Sequence, residues 1–185
     1  MGDHSSLKQM LVENEGRIPY MYLDTVGRVT LAIGHMIPLV TAAQKLTLRV
    51  RGSGAPATPE QIASEFNQVQ SQEPGRAAEH YRQFTLLEMA DDAIDQLLDA
   101  DIAAMEAGVK QRFAKWDSFP EPAQDALLDM AFNLGVAGLV SKFPKLKAAA
   151  DAQDWNTCAA QCRRIGISDD RNQKTKNLFL QAAGS

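Results

Sequence analysis

The chain has 185 residues, of which 45% are hydrophobic, and a formal net charge of −4. This composition excludes a disordered tract, and the length suits one domain, or one domain in two lobes, with a core that needs no disulfide staples. The acidic balance argues against a nucleic-acid binder, and no run of about 18 apolar residues offers a membrane span. The opening MGDHSSLKQMLVENEG carries acidic side chains and lacks the apolar core of a signal peptide, so synthesis in the cytoplasm without a leader is expected.

Residues Ser5 to Glu15 read as a short helix. Leu7, Met10 and Leu11 share one face, and Gly16 stands where a C-terminal cap would be. The stretch IPYMYLDTVGRVTLAIGH follows, its β-branched and aromatic residues flanking the turn signal Asp24-Thr25-Val26-Gly27, which predicts a hairpin. Alternation in KLTLRVR (45–51) suggests another short strand, and GSGAPATP reads as a loop. Thr58, Pro59 and Gln61 form a helix start: cap, first-turn proline and capping-box partner. From there the chain is expected to be almost wholly helical. A helix begins near Asp91, with Ile94, Leu98, Ile102, Met105 and Val109 at helical spacing. Another opens at Pro120 and Pro122 and runs to Gly135. Further helices fit Pro144–Gln153 and Asp154–Arg164, and a last one follows Ser168. The fold class is therefore α+β, a small β-hairpin lobe near the N-terminus (about 1–57) and a larger, mainly helical lobe (about 58–185).

Three features read as structural. Cys158 and Cys162 lie at i,i+4 with no histidine nearby. They suit two small, partly buried thiols better than a metal site, and a disulfide within one helix is geometrically awkward. Trp116 and Trp155 sit among apolar residues and read as core rather than as sugar-stacking platforms. Between Lys142 and Lys176 there are eight Lys/Arg and four Asp/Glu, a local excess of positive charge. Taken alone, that excess reads as a solvated surface before it reads as a patch for an anionic polymer.

Two carboxylates stand out. Glu15 falls in the last turn of the first helix, at the negative end of the helix dipole, where an ionised carboxylate is disfavoured. A protonated carboxyl of that kind can donate to a leaving glycosidic oxygen. Asp24 follows nine residues later at the hairpin turn. It can brace the turn through nearby backbone N–H groups, or supply the second carboxylate that glycoside cleavage requires. Thr30, on the returning strand, can hold a water or serve only as a strand former. Each residue alone also has an ordinary structural reading.

Together they form a pattern. Glu15-Gly16, Tyr22, Asp24, Thr25, Gly27, Thr30, Ile33, Gly34 and His35 resemble, at every spacing, the E-G-x(5)-Y-x-D-T-x-G-x-x-T-x-x-I-G-H signature of phage-type lysozymes. The resemblance continues in AQDALLDMAFNLGVAGLVSKFPKL, in DWNTCAAQCRRIGI and in RNQKTKNLF, so that it covers roughly residues 5–36 and 88–181. The segment 37–87 is longer and less recognisable than in small family members. Ala32 stands where the family usually has glycine.

The resemblance implies a lysozyme-like α+β fold with its active-site cleft between the two lobes. It also implies a muramidase cutting the β-1,4 bond between N-acetylmuramic acid and N-acetylglucosamine. Glu15 would be the general acid, and Asp24 and Thr30 would position or activate the water. His35 would be a structural and electrostatic neighbour. Asn133 would be a polar cleft residue, and Arg171 would pair with Glu15. No metal or organic cofactor is implied. Inversion at the anomeric carbon is expected, with a retaining route through Asp24 as the alternative. The expected partners are peptidoglycan glycan strands, with an immunity or inhibitor protein as a further candidate; nucleic acid and membrane span are not expected, and the chain is expected as a monomer. It would act in the periplasm or on the cell wall, delivered by an injection machine or released by a holin-type hole. The rival reading is a catalytically silent lysozyme-like module that grips glycan or builds a phage or injection particle.

Overall fold

The computed structural model describes residues 3–185. The chain forms two compact units, one built from residues 15–101 and the other from residues 3–14 together with 102–185.

Helix α1 (Ser5–Glu15) buries Leu7, Met10 and Leu11 on one face. Residues 3–14, which include all of it but Glu15, belong with the C-terminal helices. The Nδ1 of His4 lies 2.5 Å from the Asp125 carboxylate, and the His4 N–H donates to Glu121 at 3.0 Å. At the other end of α1, Lys174 donates to Glu13 at 2.7 Å.

The unit of residues 15–101 opens with strands β1 (Ile18–Leu23), β2 (Val29–Ala32) and β3 (His35–Met36), which form an antiparallel sheet in the order β1-β2-β3. The predicted hairpin turn at 24–27 joins the first two. Helix α2 (Val40–Ala43), strand β4 (Arg49–Val50) and helix α3 (Pro59–Gln70) come next. The helix start anticipated at Thr58 forms a complete capping box with Gln61. Helix α3 buries Ile62, Phe66 and Val69 and packs on β1 and β2, as an amphipathic helix covering a sheet must. Helix α4 (Ala78–Tyr81), strand β5 (Leu87–Glu88) and the first half of helix α5 (Asp91–Lys110) complete this unit.

The remainder of α5 leads into the other unit, with helices α6 (Glu121–Lys142), α7 (Pro144–Asp151), α8 (Trp155–Gln161) and α9 (Asp169–Ala183). Its core holds Trp116 and Trp155 as expected, both buried. Trp155 stacks near Phe179 and meets Phe119 edge-on at 4.9 Å. Cys158 and Cys162 are free and buried. Burial pushes both thiols up, that of Cys158 to about 12, which keeps it protonated and unreactive. No single helix among the described residues is long and apolar enough to cross a membrane.

Three sequence expectations need correction. The lobes do not divide at residues 57 and 58. Residues 3–14 group with the C-terminal helices, to which His4 ties them through α6 and Glu13 through α9, and α3 stays with the sheet whose face it covers. The strand expected over 45–51 shrinks to Arg49–Val50, because the N–H groups of Lys45 and Leu46 close turns onto Ala42 and Ala43. The helix expected to end at Gly135 is broken there, at φ 71° and ψ 156°, but resumes and reaches Lys142. A residue without Cβ occupies that left-handed conformation at little cost.

Candidate active site

The unit of residues 15–101 holds four of the sequence-predicted site residues: Glu15, Asp24, Thr30 and His35. Glu15 is the last residue of α1 and is half-buried. Gly34 explains part of the signature. A Cβ on Gly34 would stand 3.3 Å from both Cγ and Oε2 of Glu15, so only glycine lets the β2–β3 turn close on that side chain. Ala32 holds φ at 56°, in the left-handed region, which gives the physical reason a glycine is usual at that position.

Asp24 braces the hairpin turn. Its Oδ1 accepts from the N–H of Val26 at 2.9 Å and of Arg28 at 2.8 Å. The strands close above it through Asp24 N–H to the Arg28 carbonyl, 2.9 Å. No hydrogen bond to Oδ2 is formed among the described residues. One carboxylate oxygen thus serves the turn and the other is left without a donor among the described residues.

Thr30 is buried and stands opposite Tyr22 across the β1–β2 pair. Its hydroxyl donates to the Arg28 carbonyl at 3.1 Å, which commits the proton and leaves the oxygen's lone pairs as acceptors. Tyr22 belongs to the signature, yet sequence reasoning gave it no role. Burial pushes its phenol up to about 12, and the charges of Glu15 and Asp24 both add to the shift. The neutral phenol thus feels the charge of both carboxylates.

His35 is held by Asp101, whose carboxylate oxygens lie 2.8 and 3.0 Å from Nδ1. Asp101, on α5, was missed by sequence reasoning, because nothing about its spacing distinguishes it from the other acids of that helix. The pair ties β3 to α5 within this unit.

Asn133 and Arg171 lie in the other unit. Asn133 is exposed on α6, two residues before the break at Gly135. Arg171 is buried in the first turn of α9, behind its N-cap Ser168. Its Nε donates to Asp129 Oδ1 at 2.9 Å. Asp129 is fully buried and also receives Arg164 at 2.5 Å and the Thr175 hydroxyl at 2.7 Å. Burial lowers the affinity of Arg164 for its proton, and the Asp129 carboxylate opposes that loss. Among the described residues, no group of His, Cys, Asp and Glu is arranged to hold a metal ion.

Residues 12–178 match the family model described as phage lysozyme. The chain is also similar to the pre-baseplate central spike protein Gp5 of Enterobacteria phage T4, 29% identical over 153 residues. The aligned part is 81% of this chain and 23% of that protein, so the chain spans less than a quarter of this relative's length.

Proposed function

The chain belongs to the phage lysozyme family, and from that premise we propose that it is a muramidase, hydrolysing the β-1,4 bond between N-acetylmuramic acid and N-acetylglucosamine in peptidoglycan. The observation that carries this reading is the intact set of Glu15, Asp24 and Thr30 within one compact unit, with Asp24 Oδ2 and the Thr30 lone pairs left to accept. A protein that merely gripped glycan would have no use for an acid and a second carboxylate together.

In the proposed mechanism Glu15 donates its proton to the glycosidic oxygen as the C1–O bond breaks. A water donates hydrogen bonds to Asp24 Oδ2 and to Thr30 Oγ1. Its oxygen lone pair then attacks C1 from the opposite face, and Asp24 takes the released proton. This route inverts the anomeric carbon. The alternative, direct attack by Asp24, would retain it. Tyr22, neutral at physiological pH, adds no competing charge between the two carboxylates. His35 acts by holding β3 to α5, and Arg171 and Asn133 are supporting residues on the other unit.

The spike relative supports a second reading, in which the domain is a silent module of an injection particle. It also supports delivery to the cell wall as part of such a particle, in preference to release through a membrane hole. Mass spectrometry of purified peptidoglycan after digestion separates these readings. Muropeptides ending in reducing N-acetylmuramic acid are expected, and their release should vanish in Glu15→Gln. Cuts confined to the peptide stems, or no products from a folded protein, would overturn the muramidase reading.

A further inference from the structure

Within the unit of residues 15–101, the space between α3 and the β4–β5 pair encloses a cavity of about 190 Å³. Its walls combine Val50, Phe84, Leu86 and Leu87 with the exposed polar side chains of Ser64 and Gln68. Glu65, only 6% exposed, projects from α3 into the same space. Its Oε2 accepts two backbone N–H groups, from Leu86 at 2.5 Å and Leu87 at 2.9 Å. Its Oε1 is buried and has no hydrogen-bond partner among the described residues. Arg51, whose charge reaches Glu65, forms no hydrogen bond with it among the described residues: it donates to the carbonyl and hydroxyl of Thr85 at 3.1 and 3.0 Å and pairs with Glu88 at 3.4 Å, while its buried Nε has no hydrogen-bond partner there.

A buried carboxylate oxygen without a donor is rare and carries a desolvation cost. Had the turn needed only a brace, an uncharged acceptor would have held the two N–H groups without that cost. We propose that this pocket binds a lysine-type side chain, a primary ammonium on a short aliphatic stem, with Glu65 as its counter-ion. The ammonium offers three donors. Oε1 takes one, and Ser64 and Gln68 carry oxygens for the others. The stem lies against Phe84 and Leu86, the latter 74% exposed and otherwise without cover. Burial pushes the Glu65 carboxyl up, and the Leu86 and Leu87 N–H groups and Arg51 offset that only in part, so a ligand cation supplies the counter-charge that the buried anion lacks. The site is separate from the proposed glycosidase residues and does not rest on their activity.

The test is an NMR titration of the whole chain with Nα-acetyl-lysine methylamide, read at the Leu86 and Leu87 amides. Saturable shifts are expected, with a dissociation constant on the order of 1–10 mM for so small a ligand. In Glu65→Gln the amide oxygen can still take both backbone N–H groups, so the protein should melt as the wild type does and bind at least tenfold more weakly. Gln68→Lys, an exposed change that supplies its own ammonium, should compete in the same way and serves if Glu65→Gln does not fold. The norleucine analogue, with no charge, should also bind at least tenfold more weakly. Equal binding of the norleucine analogue would reduce the pocket to an apolar dent, and unchanged binding by folded Glu65→Gln would remove Glu65 from it. An arginine analogue binding more tightly than the lysine one, or no saturable shift at all, would likewise overturn the assignment.

Discussion

At Asp24, the N–H groups of Val26 and Arg28 converge on one carboxylate oxygen, and this division of labour can be tested. Asparagine keeps an oxygen for those two donors but loses the ability to take a proton from water. Asp24→Asn should therefore leave the melting temperature near that of the wild type while lowering turnover on peptidoglycan by about 10²–10⁴-fold. Near-normal turnover in a folded variant would reduce Asp24 to a turn residue. Signature residues of this kind were legible in the sequence because ten of them stand at fixed spacing on one helix end and one hairpin. Asp101, Asp129 and Glu65 were not. Each is one acid among several on a helix, and its meaning comes from a partner distant in the chain: His35, Arg171 or the Leu86 amide. Tyr22 was legible as a letter in the signature but not as a role, because its role comes from burial beside two carboxylates.

Elements defined by local chemistry were read correctly. The capping box at Thr58 is the clearest case. Its hydroxyl accepts from Gln61 N–H at 3.3 Å, and the Gln61 side chain accepts from Thr58 N–H at 2.8 Å. Thr58→Ala breaks the first of these bonds and should destabilise the protein by about 0.5–2 kcal/mol in denaturant unfolding. A loss well below that range would mean that α3 is held by its buried face alone. Helix α5 and the β1–β2 hairpin were equally readable, since their signals lie within a few residues of one another. The β4–β5 pair was not. Val50 pairs with Leu87 and Arg49 with Glu88, and no local pattern marks strands of two residues that are separated by helices α3 and α4. Length 37–87 therefore concealed both this pair and the pocket beneath it.

At the scale of the molecule, the fastening of residues 3–14 to the C-terminal helices depends on His4, one of the few buried titratable groups. The hydrogen bond to Asp125 raises the imidazole pKa above its ordinary value, against the opposing effect of burial, and the charges of Asp125, Glu106 and Glu121 add to the rise. A raised folded pKa means that the pair's stabilisation is fully present below the unfolded value of about 6.5 and is lost as pH climbs through the folded value. His4→Asn tolerates the positive φ of 49° at this position but cannot titrate. The variant should be less stable than wild type by about 1–3 kcal/mol near pH 5, and the gap should narrow as pH rises beyond the ordinary histidine range. Equal gaps at pH 5 and pH 9 would mean that the imidazolium contributes nothing. The same division of the chain has a consequence for how the protein is made. Residues 15–101 are contiguous, so that unit can acquire all its strands and helices while the ribosome is still translating. The other unit cannot, because residues 3–14 are made before α6 and α9, to which His4 and Glu13 tie them. During synthesis this segment must therefore wait until α9 has been translated before those ties can close.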